Sequence, residues 1–178
     1  LKGMYRLRAG GRGKVRVNLL GSGTILREAI GAAELLEAEF GVPADVFSVT
    51  SFSELRREAL DAERWNMLHP GEAPRTPYVK ELLAGQSGPF VAATDYMRTV
   101  PDQIRQWVPG RYQVLGTDGY GRSDSRAALR GFFEVDRRYI ALAALKSLAD
   151  DGMLDMATVV SAMQRFGLDP DKPNPVTV

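Results

Sequence analysis

The stretch Leu115-Gly116-Thr117-Asp118-Gly119-Tyr120-Gly121-Arg122-Ser123-Asp124-Ser125-Arg126 joins an apolar run, Tyr112-Gln113-Val114-Leu115, to the helix-forming residues Ala127-Ala128-Leu129. Its three glycines describe a strand that ends and a loop whose backbone can enter positive φ. Ser123 and Asp124 are capping residue types, and Asp124 is the expected cap of a helix beginning near Ser125. A strand, a glycine-rich loop and a helix in that order mark one unit of an α/β fold. In open parallel sheets, ligands and partners gather outside the carboxyl ends of the strands. This loop is therefore the first place to look for function, with Gly119, Gly121, Arg122, Ser123, Asp124 and Arg126 as its candidate site residues. A capped, glycine-rich loop needs no ligand to explain it. The rival reading is an anion or partner site served by backbone N–H groups and by Arg122 or Arg126.

The rest of the chain repeats the same alternation. Met4-Tyr5-Arg6-Leu7-Arg8 alternates apolar and basic residues, Gly10-Gly11-Arg12-Gly13 reads as a turn, and residues 15–20 form a more buried strand. The pattern predicts a hairpin whose first arm is an antiparallel edge, blunted by its basic residues. After Gly21-Ser22-Gly23 comes a helix with Leu26, Ala29, Ile30, Ala33, Leu36 and Phe40 on one face, stopped by Gly41 and Pro43. A strand-Gly-x-Gly-helix order invites a dinucleotide reading. The third glycine of that fingerprint falls on Leu26, however, and Asp45 starts the next strand instead of ending it, so a tight turn with close backbone packing is preferred.

Residues 46–49 are the next strand, and Ser51 with Glu54 has capping-box spacing, which predicts a helix from about Ser53 with Leu55, Ala59 and Ala62 inward and a solvated charged face outward. Trp65, Met67 and Leu68 close it with a bulky apolar cluster that is either core or a seat for another domain. Residues 78–83 predict a short helix. Phe90-Val91-Ala92-Ala93-Thr94 reads as a strand buried on both faces, with Asp95 at its carboxyl end. Pro101 opens a short helix carrying Ile104, Trp107 and Val108, and Tyr112–Leu115 is the last strand. Two further helices follow. Asp136 caps the first, with Ile140, Ala144, Leu145 and Leu148 inward, and the second carries a stripe of Met156, Val159, Val160, Met163 and Phe166 ended by Gly167.

At 178 residues the chain suits one domain, with residues 169–178, which hold three prolines, as an irregular tail after a domain of residues 1–168. The net charge of +1 argues against a nucleic-acid footprint, and no apolar run is long enough to span a bilayer. Zero cysteines exclude disulfides and thiolate chemistry and fit a cytoplasmic setting. Any acid–base or metal proposal must pass through His69, the single histidine, which sits before Pro70 at a helix end and reads as a capping or packing residue. The absence of an initiator Met before Leu1-Lys2-Gly3 suggests a piece of a longer polypeptide. Together these readings predict a three-layer α/β/α sandwich around a five-stranded, mainly parallel sheet with one antiparallel edge strand.

The 116–126 loop also resembles a segment near the C-terminus of the thiamine-dependent decarboxylating component of pyruvate dehydrogenase complexes, homodimeric bacterial type. Matches run in the same order through Leu20-Gly21-Ser22-Gly23-Thr24-Ile25-Leu26-Arg27-Glu28, Ser48-Val49-Thr50-Ser51-Phe52, Glu63-Arg64-Trp65-Asn66-Met67-Leu68-His69-Pro70 and Ala93-Thr94-Asp95-Tyr96-Met97. The resemblance is to the last domain only, that of the transketolase-like superfamily, and it implies the same fold. It further implies a parent enzyme that uses thiamine diphosphate and magnesium to decarboxylate pyruvate and to acetylate the lipoyl group of the acetyltransferase component, on the route from glycolysis to acetyl-CoA. In that family the cofactor ligands and catalytic histidines lie in two upstream domains, so no catalytic, cofactor or metal residue is carried over to this chain. The role implied here is assembly with those upstream domains and with a second subunit, in a homodimer. A regulatory or partner-binding role for the 116–126 loop is the alternative.

Overall fold

The computed structural model describes residues 2–178. Its centre is β2 (Val17–Ser22), every residue of which is buried. Such an uninterrupted run fits only a strand covered on both faces and both edges. It pairs in parallel with β3 (Ala44–Val49) on one side and with β4 (Phe90–Ala93) on the other. β5 (Tyr112–Leu115) extends the sheet beyond β4, and β1 (Met4–Arg8) runs antiparallel along β3, giving the order β1-β3-β2-β4-β5. The five-stranded, mainly parallel sheet with one antiparallel edge is the one expected.

The hairpin is not formed. β1 is an edge strand, but its partner is β3, and residues 9–16 carry the chain past β3 to the centre of the sheet. The reason lies in Asp45, a buried carboxylate at the start of β3. It accepts a hydrogen bond from the Gly10 N–H at 2.7 Å and pairs with Arg16 at 2.7 Å. The glycine-rich segment is thus anchored across the end of β3 and does not close a tight turn.

Helices α1 (Leu26–Phe40), α6 (Arg137–Asp150) and α7 (Met156–Arg165) cover one face of the sheet, burying Leu19, Val46, Leu36, Ile140, Leu145 and Leu148 in one core. On the other face α2 (Phe52–Leu68), α3 (Tyr78–Leu83) and the short α4 (Thr99–Asp102) bury Leu20, Phe47, Phe90, Leu55, Val79 and Ile104 in a second core. The three layers follow from the alternation of side chains along the strands.

Several boundaries differ from expectation for local reasons. α2 starts at Phe52, one residue early, because Ser51 is the cap and its hydroxyl accepts the Glu54 N–H at 3.1 Å. Pro101 lies inside the first turn of α4, which begins at Thr99. Gly41 ends α1 at φ 62°, a left-handed cap as the sequence suggested. On α7, Val159 and Phe166 turn inward together with Ala162, whereas Met156 and Val160 remain exposed beside a shallow apolar groove. Residues 169–178 contain neither helix nor strand, but they are tied down. Lys172 Nζ donates to the Phe132 carbonyl at 2.7 Å and to Glu134 Oε1 at 3.0 Å, and Pro175 is buried.

Candidate functional site

The carboxyl ends of β2, β4 and β5 meet at the point where the chain leaves β2 toward β3 on one side and β4 toward β5 on the other. This is the topological switch point of the sheet, where open α/β folds form a crevice. Gly21 lets the turn after β2 close: a Cβ there would come within 2.7 Å of Leu26 Cα. Leu26 therefore stands where a dinucleotide fingerprint has its third glycine because helix and strand already touch at Gly21. The tight-turn reading accounts for this motif.

The loops after β4 and β5 are stitched to each other. Thr117 donates its hydroxyl to the Asp95 carbonyl at 2.7 Å and its N–H to the Tyr96 carbonyl at 2.9 Å. Arg98 donates its N–H to Asp118 Oδ1 at 3.1 Å, while its guanidinium lies 3.4 Å from Oδ2. Gly116 has no room for a side chain, since a Cβ would lie 2.7 Å from the Tyr96 carbonyl oxygen. Of the three loop glycines only Gly119 has positive φ, at 108°, and it packs on the Pro175 carbonyl.

Beside this seam lies a cleft of about 360 Å³. It is lined by the buried Ile25 and Phe133, by Thr24 and Asp95 from the ends of β2 and β4, by Arg122 from the loop after β5, and by Arg126, the first residue of the helix that follows. Gly119 and Gly121 also line it, whereas Ser123 and Asp124 do not. Asp95 accepts a hydrogen bond from the Thr24 hydroxyl at 3.3 Å, and Arg122 lies over the Phe132 ring at 4.2 Å. Sequence reasoning placed Asp95 at a strand end but did not join it to the loop, and it missed Thr24 and Phe133 entirely. The order of the strands across the sheet, which brings β2 beside β4, is what assembles them.

Asp124 is not the helix cap. α5 (Arg126–Phe132) is capped by Ser125, whose Oγ accepts the Ala128 N–H at 3.3 Å, while Asp124 Oδ1 accepts the adjacent Ser125 N–H at 2.6 Å. The carboxylate bonds the nearest N–H, one residue on, and so cannot reach the first turn. Ser123, the other residue type suited to a cap, is exposed in the loop.

Glu28 is the strongest electrostatic knot near the cleft. Although burial raises its pKa, the hydrogen bonds and charge of Arg137, helped by Arg130, outweigh burial and hold the carboxyl below its ordinary value. Arg130 Nη1 donates to Oε1 at 2.9 Å, and the Arg137 N–H and Nε each donate to Oε2 at 3.1 Å. Gly31, one turn along α1, makes room for the Arg137 side chain, because a Cβ would meet its guanidinium at 2.8 Å. Both arginines are thus committed to fixing the turn between α5 and α6.

Trp65 belongs to the opposite end of the molecule, since α2 begins at the carboxyl end of β3 and runs back toward the amino end of the sheet. Trp65 is half-buried, stacked on His69 at 4.3 Å and covered by the Arg75 guanidinium at 4.1 Å. Asn66 locks the crossing by exchanging two hydrogen bonds with the Arg75 backbone, at 2.9 and 2.7 Å. Beyond this clamp Met67 is 70% and Leu68 51% exposed. His69, with Nδ1 2.8 Å from the Trp65 carbonyl, is the packing and capping residue that its position suggested. Trp65 and the 116–126 loop therefore lie at opposite ends of the sheet.

Thiamine diphosphate with magnesium does not fit these residues. Among the described residues no group of three His, Cys, Asp or Glu side chains could hold a metal ion. The single histidine is engaged by Trp65, and the buried carboxylates Glu28 and Asp45 are already neutralised by arginines.

Residues 3–136 match the family model described as the transketolase-like TK C-terminal domain. The chain is 56% identical over 178 residues to the pyruvate dehydrogenase E1 component of Pseudomonas aeruginosa, covering 99% of this chain and 20% of that protein. It is 51% identical over 175 residues to the Escherichia coli K12 protein of the same name, covering 98% and 20%. The chain thus spans about one fifth of the length of the curated relatives it matches. Among solved structures, a split-gene transketolase described as an inactive β4 tetramer superposes with a TM-score of 0.56 at 19% identity, covering 84% of this chain and 43% of that one. Transketolase from Leishmania mexicana gives a TM-score of 0.56 at 15% identity, covering 84% and 18%. These structures carry the same α/β/α arrangement, and the chain belongs to the transketolase-like TK C-terminal domain family.

Proposed function

We propose that this chain is the C-terminal domain of a pyruvate dehydrogenase E1 component, one domain of a longer cytoplasmic enzyme that decarboxylates pyruvate and acetylates the lipoyl group of an acetyltransferase component. The observation that carries this reading is the match to E1 components sustained along essentially the whole chain. Thiamine diphosphate and magnesium bind through residues outside these 178, and this domain serves assembly with the neighbouring domains and a second subunit. In support of an assembly role, the C-terminal end of α2 exposes apolar side chains. Met67 and Leu68 are exposed beside Trp65, which is covered by the Arg75 guanidinium. Aromatic, Met and Arg side chains on an ordered scaffold are the composition of interface centres.

Pyruvate decarboxylation with added thiamine diphosphate and magnesium tests the reading. The parent-length enzyme turns over, and the isolated chain does not. Saturable quenching of Trp65 or Trp107 fluorescence by thiamine diphosphate in the isolated chain, reversed by chelation, would overturn it.

A further inference from the structure

We propose that the cleft at the switch point is a binding site for a small organic anion that also carries a hydroxyl group. Its volume of about 360 Å³ falls at the lower end of the range for small-molecule sites, and its lining by Ile25 and Phe133 is apolar. The polar groups come from separate segments of the chain, Thr24 and Asp95 after β2 and β4, and Arg122 and Arg126 after β5. Arg130, deeper in the cleft, is bound to Glu28 at 2.9 Å, so it is not available to a ligand. Arg122 and Arg126 make no ion pair among the described residues and face the cleft from the loop side. Two such cations beside an apolar lining suit a phosphate or carboxylate, which guanidinium groups bind through paired N–H donors.

Asp95 sets the second requirement. Its carboxylate lines the same cleft, held by the Thr24 hydroxyl at 3.3 Å, while the Thr117 hydroxyl donates to its backbone carbonyl at 2.7 Å. A carboxylate repels a bare anion but accepts a hydrogen bond from a hydroxyl. The cleft therefore suits a ligand that combines an anionic group with a hydroxyl donor. Gly121, between Tyr120 and Arg122, lines the cleft without adding a side chain to it.

Calorimetric titration of the 178-residue chain with glycerol 2-phosphate, ethyl phosphate and inorganic phosphate tests this site. Glycerol 2-phosphate binds saturably and more tightly than ethyl phosphate, which lacks the hydroxyl groups. Arg126→Gln weakens glycerol 2-phosphate by about tenfold, the loss of one charge-assisted contact. Arg122→Gln provides the same reading if Arg126→Gln fails to fold. Asp95→Ala acts in the opposite sense on inorganic phosphate, tightening it by removing a like charge, while it erases the preference for the hydroxylated ligand by removing the acceptor. Absence of saturable binding, equal affinity for glycerol 2-phosphate and ethyl phosphate, or binding indifferent to both arginine variants would overturn the proposal. The pyruvate dehydrogenase reading is untouched by any of these outcomes, because it concerns cofactor and substrate sites outside this chain.

Discussion

Gly119 and Pro175 meet so closely that no side chain fits between them: a Cβ on Gly119 would overlap the Pro175 carbonyl oxygen, and Gly119 holds φ 108°. The last ten residues thus hold the very loop that lines the cleft. Gly119→Ala is disfavoured by the backbone conformation, at about 1 kcal/mol, and again by the clash. We expect it to release residues 169–178, seen as rapid trimming of the C-terminus by carboxypeptidase, with a smaller change in the melting of the core. A tail as resistant as in the native chain would show that the contact does not hold it.

Glu28 gives the fold an acid-sensitive point. Its folded pKa is below its ordinary value. A group with a depressed folded pKa contributes stability that is present above the unfolded pKa and lost as pH falls through the folded one. For a glutamate the loss begins near pH 4.3, about the free value, and continues below it. Glu28→Gln strips the charge from between Arg130 and Arg137 and should lower stability at pH 7 by about 1–3 kcal/mol. Denaturant midpoints measured from pH 7 to pH 3 should converge for the two proteins at low pH. A gap that stays constant across this range would remove Glu28 from the acid response.

The cap of α5 provides a direct local test. Ser125→Ala should cost about 1 kcal/mol, and Asp124→Ala less, because only Ser125 reaches the helix's first turn. The two denaturant midpoints, compared with that of the native chain, check the ranking.

Tyr112 is a buried phenol whose ionisation is pushed far up by burial, with the charges of Arg105 and Asp102 acting in opposite directions. Its hydroxyl donates to the Pro101 carbonyl at 2.8 Å. Tyr112→Phe removes this bond and leaves the carbonyl with its weaker backbone partners, the Ile104 N–H at 3.5 Å among them, which should destabilise by about 1 kcal/mol. A thermal melt that matches the native chain would mean that the carbonyl finds another donor.

Much of the sheet was readable from its strands, because apolar runs such as 90–94 and the glycine stops after helices are local signals. Strand pairing was not. The turn-like Gly10-Gly11-Arg12-Gly13 suggested a hairpin, and only the burial of Asp45, which collects Gly10 and Arg16, explains why β1 crosses to β3 instead. Asp124 was mistaken for a cap because residue type does not reveal which N–H a carboxylate reaches. The cleft was half legible. The 116–126 loop stood out by its glycines, whereas Thr24, Asp95 and Phe133 join it from sequence positions far from the loop. The outward turn of Met156 and Val160 was hidden too, since helical spacing alone does not say how wide a stripe the neighbours cover.

The proposed assembly role requires this domain to seat against the rest of a longer enzyme through the end of α2. Hydrogen exchange of residues 60–77 in the isolated chain and in the parent-length protein measures that directly. The exposed Met67–Leu68 end and the crossing clamped by Arg75 should exchange about tenfold or more slowly in the parent-length protein, as expected for amides that an interface closes off. Equal exchange in the two proteins would contradict an assembly role for this surface.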